Sequence, residues 1–117
     1  MGEPAFDLKD IRALIRSGDF RVTSSSMECV QDALGVTADR AQCLILEQVE
    51  MLTHRNYSET LPPQKADGTP ADVYAVFAER RGWYIKVVVR HGRLIVISFH
   101  PPERPIRTAD GWVKGSL

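Results

Sequence analysis

Asp72-Val-Tyr-Ala-Val-Phe77, Trp83-Tyr-Ile-Lys-Val-Val-Val89 and Leu94-Ile-Val-Ile-Ser-Phe-His100 follow one another with only short breaks. Each run is brief and rich in β-branched and aromatic residues, the composition of strands. Glu79-Arg-Arg-Gly82 separates the first two, and Arg90-His91-Gly92-Arg93 the second and third. His91-Gly92 fits a two-residue loop, its glycine accepting positive φ. Strands joined this tightly run antiparallel, since a parallel pair needs a long crossover. A three-stranded meander is therefore the expected heart of the fold.

Upstream of the meander the periodicity changes to helical. Asp7 is placed to cap a helix over Leu8, Ile11, Leu14 and Ile15, with Gly18 just past its end. Ser25 and Glu28 have capping-box spacing for a second helix, with Met27, Val30 and Leu34 inward and Gly35 closing it. Thr37 is placed to cap a third, with Ala41, Leu44, Ile45 and Leu52 inward and its end near His54. The alternating Asn56–Leu61 run reads as an edge strand ended by Pro62-Pro63. A polar loop over 64–70 leads into the meander. Helices first and strands after predict an α+β fold, N-terminal helices packed on one face of a small antiparallel sheet. The expected division is one domain over 1–117: helical over 1–54, antiparallel sheet over 55–100, extended C-terminal tail over 101–117. The other sheet face is left to carry a site.

At 117 residues the chain suits one core. No apolar run nears the roughly 20 residues that span a bilayer, and the first residues lack a signal-peptide pattern. Cys29 and Cys43 fall in helical patterns without metal-ligand spacing, and read as reduced core thiols of a cytoplasmic protein. Net charge is zero but unevenly spread. Residues 1–60 hold six Lys/Arg and ten Asp/Glu (6 − 10 = −4); residues 61–117 hold nine and five (9 − 5 = +4). A polyanion would therefore meet the sheet rather than the helices.

Period-two alternation puts Tyr84, Lys86 and Val88 on one face of the middle strand and Ile85, Val87 and Val89 on the other. In the last strand it groups Leu94, Val96, Ser98 and His100, opposite Ile95, Ile97 and Phe99. The wholly apolar sets suit the helix-packed core, leaving Tyr84, Lys86, Ser98 and His100 on the open face. A histidine, a lysine and a tyrosine meeting on a basic sheet suit metal-independent RNA cleavage. One group takes the 2′-hydroxyl proton, a cation stabilises the phosphorane and another group protonates the leaving 5′-oxygen. Arg80, Arg81, Arg90 and Arg93, at the hairpin ends, suit phosphate contacts, though solubilising turn charges look the same. His54 and His91 read more simply as a helix-end and a turn residue. There is no Walker loop, GxSxG, dinucleotide fingerprint or His/Cys metal set, so neither a metal nor a small-molecule cofactor is expected.

The stretch from about Arg21 to His100 resembles the MqsR-type toxins of bacterial type II toxin–antitoxin systems. The likeness lies in Arg21-Val-Thr before a serine-led helix ending Leu34-Gly35-Val36, then Asn56-Tyr57, Asp72-Val73-Tyr74, Tyr84-Ile85-Lys86-Val87 and Leu94-Ile-Val-Ile-Ser98-Phe99. The resemblance implies a RelE/YoeB-like fold, metal-independent mRNA endonuclease activity and a tightly binding cognate antitoxin. By position, the family's active-site tyrosine falls on Tyr84. The lysine after its Ser-Phe pair is His100 here, the lysine after its Phe-Tyr pair is Ser58, and the glutamine before Asp-Val-Tyr is Ala71. The expected catalytic set is thus Tyr84, Lys86 and His100. The alternative is a catalytically degenerate RelE-like module that binds a protein partner through the sheet.

Overall fold

The computed structural model of the chain describes residues 2–63 and 68–115. Its first helix, α1 (Leu8–Ser17), starts where the Asp7 carboxylate accepts the Lys9 N–H and ends at Gly18, whose φ of 81° is left-handed. The second, α2 (Ser24–Leu34), closes at Gly35 as the spacing predicts, but Thr23 caps it rather than Ser25. Thr23 is the residue whose backbone is still extended, so its hydroxyl is free to accept from the Ser26 N–H at 3.3 Å. Thr37 caps α3 (Ala38–Glu50). That helix stops short of His54 because Thr53 and Asn56 cap a separate 3-10 turn at His54–Asn56. Cys29 is half-buried but Cys43 is exposed, so only the first approaches a core thiol.

Five strands form one sheet: β1 (Phe20–Val22), β2 (Tyr57–Leu61), β3 (Ala71–Ala78), β4 (Arg81–Arg90) and β5 (Arg93–His100), in the order β1-β5-β4-β3-β2. The meander and the edge strand pair antiparallel. β1 pairs parallel to β5, with Phe20, Arg21 and Val22 opposite Leu94, Ile95 and Val96. The sheet is therefore mixed, not antiparallel throughout. Three residues are too few to show alternation, and the crossover that makes a parallel pair possible is nearly the whole chain between them. Both β-turns of the meander take left-handed residues in pairs, Glu79-Arg80 (53° and 65°) and His91-Gly92 (53° and 70°). Gly82, which looked like part of the first turn, lies inside β4.

One face of the sheet carries the helices. Ile11, Val30, Ile45 and Val49 pack with Tyr74, Trp83, Ile85, Val87, Leu94, Val96 and Phe99, all buried. Strict alternation would divide the last three of these, all in β5, between two faces. A bulge reconciles them: Lys86 pairs with Ser98 but Val87 pairs with Val96, so Ile97 is an extra residue in β5. Leu94 and Val96 thus point inward, contrary to the period-two grouping, while Ile95 and Ile97 turn to the open face beside Ser98 and His100. The carbonyl of Ile97 accepts the hydroxyls of Thr23 at 2.9 Å and Ser26 at 3.3 Å. The N-terminus of α2 therefore satisfies the group that the bulge displaces.

Asp72, wholly buried, joins three segments through its carboxylate. It accepts the N–H groups of Ala5 and Phe6, each at 2.9 Å, and the Thr60 hydroxyl at 2.6 Å. Beyond His100 the chain forms a second, two-stranded sheet, β6 (Ile106–Thr108) with β7 (Gly111–Val113). This hairpin touches β2 and β3. Its end crosses β4 at Gly82, whose N–H donates to the Gly115 carbonyl at 3.3 Å. A Cβ on Gly82 would lie 1.9 Å from the Lys114 carbonyl oxygen and 2.7 Å from a Val113 methyl. Trp112, a natural candidate for an anchor, is instead 65% exposed. The open face is therefore partly roofed.

Two outcomes test these contacts. Thr23→Val removes the helix cap and one donor to Ile97, and is expected to lower the unfolding free energy by about 1–3 kcal/mol in urea, with Thr23→Ser recovering most of it. Gly82→Ala is expected to lift the hairpin while the five-stranded sheet persists. Limited proteolysis should then cut between residues 101 and 115 well before the rest, at a rate unlike the wild type.

Candidate active site

The open face is organised by the β4–β5 pairing. Tyr84 lies directly opposite His100, and Lys86 directly opposite Ser98. The Tyr84 and His100 rings stack with centroids 4.9 Å apart and planes 16° from parallel. His100 Nδ1 lies 2.8 Å from the Pro101 carbonyl oxygen. A carbonyl only accepts, so Nδ1 carries the hydrogen and Nε2 is the ring nitrogen left to exchange a proton. Burial pushes the Tyr84 phenol above its ordinary pKa, and the Glu59 carboxylate, two strands away on β2, raises it further. Tyr84 is thus a protonated hydroxyl at neutral pH.

These residues line a cavity of about 590 Å³. Tyr84, Lys86, Ser98 and His100 line it from β4 and β5, together with Ser58 and Glu59 of β2 and the segment from Pro102 to Arg107. A second hollow of about 260 Å³ shares Lys86 with it. There Arg21 and Arg90 rim an apolar surface of Val88, Ile95 and Ile97. The bulge produces that surface by turning both isoleucines outward.

Of the four arginines expected at phosphates, none borders the larger cavity. Arg80 is held in the β3–β4 turn, and Arg81 lies over the Trp83 ring with its guanidinium carbon 5.9 Å from the centroid. Arg93 is exposed beside the opposite turn. Only Arg90 reaches a hollow next to Lys86. A meander sends its two turns to opposite ends of the sheet, so the four cannot gather at its middle. The cations that do approach are Arg21, Arg104 and Arg107. Arg21 sits in a strand too short to recognise, and the other two lie in a proline-punctuated tail without periodicity. Ser58 lines the larger cavity and Ala71 the smaller. His54 and His91 lie away from both. Among the described residues, no group of three His, Cys, Asp or Glu side chains is placed to hold a metal ion.

No helix among the described residues is long and apolar enough to cross a membrane. No curated protein matches the chain. A family match does exist, to the motility quorum-sensing regulator, toxin of MqsA, over residues 3–101. It takes in all three helices and the whole five-stranded sheet, and the β6–β7 hairpin lies beyond it. With most of its length matched in this way, the chain belongs to the MqsR toxin family.

Proposed function

We propose that this toxin-family protein acts in the cytoplasm as a metal-independent endoribonuclease that cleaves mRNA on its open sheet face. Family membership makes it the toxin of a toxin–antitoxin system, with an antitoxin as its protein partner. The observation that carries the catalytic reading is the stacked Tyr84–His100 pair with Lys86 two residue pairs along, next on the same face. Helices on one face of a sheet and polar chemistry on the other accord with the RelE-like architecture that this reading implies.

In this mechanism His100 Nε2 accepts the proton of the ribose 2′-hydroxyl, Nδ1 being held by the Pro101 carbonyl. The 2′-oxygen bonds to phosphorus, and the phosphorane gathers negative charge opposite the Lys86 ammonium. The bond from phosphorus to the 5′-oxygen then breaks, and the departing oxygen takes a proton from the Tyr84 hydroxyl. The products are a 2′,3′-cyclic phosphate and a 5′-hydroxyl. Solvent exchange returns the His100 proton to Tyr84 and restores the pair. Lys86 supplies the charge that a metal ion provides in other nucleases.

A second reading has its own observation. Ser58 and Ala71, bordering the two hollows, bring neither charge nor amide to them, and β2 forms an edge of the sheet that can pair with another chain. On that reading the chain is a catalytically degenerate RelE-like binding module. Expression separates the two. The nuclease reading expects growth arrest with fragmented mRNA, abolished in the Tyr84→Ala/His100→Ala double variant and relieved by the antitoxin. Intact mRNA and normal growth with the wild type would favour the module instead. For the purified protein, His100→Ala is expected to slow cleavage by about 10²–10⁴-fold. Glu59→Gln should move the Tyr84 titration to lower pH, because it removes a carboxylate that opposes phenolate formation. Ultraviolet titration against Tyr84→Phe isolates that shift.

A further inference from the structure

The C-terminal arm from Pro102 onward lies outside the family match, yet its stretch from Pro102 to Arg107, at the start of β6, walls the cavity that holds Tyr84, Lys86 and His100. We propose that this C-terminal arm is a substrate-binding element, in which Arg104 and Arg107 take phosphates of the RNA backbone across the cavity from Lys86. The inference rests on the ribonuclease reading and adds to it where the strand runs.

The arm is a built part of the molecule. It begins at His100, whose Nδ1 is bonded to Pro101, and ends on β4 through the Gly82–Gly115 hydrogen bond. Between these points the Asp110 N–H donates to the Arg55 carbonyl at 3.1 Å, and the Arg55 and Asp110 side chains pair at 3.6 Å. Its own turn is closed by the Thr108 hydroxyl donating to the Gly111 carbonyl at 2.8 Å. Beneath it the sheet offers Gly82 and Ala75, side chains small enough for backbone to approach.

Arg104 and Arg107 line the cavity, are exposed, and enter no ion pair among the described residues. Three residues of chain separate them by at most about 10 Å, a span that suits neighbouring phosphates. Glu103 borders the same cavity, so this stretch of the arm carries a balance of +1 (two arginines less one glutamate). A phosphodiester strand in the cavity then meets Lys86 from the sheet and the two guanidiniums from the arm. Guanidinium forks suit phosphate oxygens, and the contact carries no base information.

The test measures binding of a short, labelled 2′-O-methyl RNA, which lacks the nucleophile and so separates binding from cleavage. Anisotropy titrations at several salt concentrations compare the wild type, Arg104→Ala/Arg107→Ala, and Lys9→Ala, which removes one charge from the helix layer. The double variant is expected to bind about tenfold or more weakly, with a log–log salt slope shallower by about 1.4, the value for two phosphate contacts on a single strand. Lys9→Ala should match the wild type. Wild-type binding with an unaltered double variant would overturn the role of the arm and leave the nuclease reading standing. An equal loss in Lys9→Ala would also overturn it, showing only an effect of overall charge. A wild type that binds no RNA removes both.

Discussion

The extra residue at Ile97 is the constraint on which the open face depends. Leu94, Val96 and Phe99 all belong to the helix-packed core, yet their spacing cannot serve one face of a regular strand. Inserting one residue resolves the conflict, and the displaced carbonyl finds its donors in Thr23 and Ser26 at the start of α2. Helix cap and sheet bulge are thus one structure. Its consequence lies on the other side of the sheet, where Ser98 and His100 are brought level with Lys86 and Tyr84. The same bulge turns Ile95 and Ile97 outward and gives the basic hollow its apolar floor.

The electrostatics of that face come from few groups. Lys86 is the cation central to both hollows, with Arg21 and Arg90 on one side and Arg104 and Arg107 on the other. Glu59 stands against them and helps keep the Tyr84 phenol protonated. Stacking on Tyr84 and the bond to Pro101 hold the His100 ring in one orientation and one tautomer. Preorganisation of this kind matters more than the number of ionisable groups, because a proton acceptor works only when its lone pair is already directed.

A second constraint is the approach of the tail to the sheet. Gly82 has an ordinary φ; what keeps it a glycine is the carbonyl of Lys114 resting where a Cβ would be. From the chain alone it reads as a turn glycine, since turns are where glycines next to charged residues usually fall. The turn in fact uses Glu79 and Arg80 in left-handed conformations. A roofed cavity and a missing side chain inside β4 are therefore two views of one contact.

The local elements were legible because their causes are local. Asp7, Thr37, Gly18 and Gly35 bound helices through caps within a few residues, and the His91-Gly92 turn follows from glycine's freedom at positive φ. The antiparallel meander follows from loops too short for any other connection, and it brings Tyr84 and Lys86 to within a residue of Ser98 and His100, the bulge setting the final register. Tertiary structure decided the rest. The parallel pairing of Phe20–Val22 joins residues more than seventy positions apart, and three residues hold no period to reveal it. The bulge at Ile97 depends on hydroxyls from a distant helix start. The placing of Arg104 and Arg107 depends on a hairpin docked over Gly82. None of these leaves a mark in local sequence, because each is set by which distant backbone groups must be paired once the core has closed.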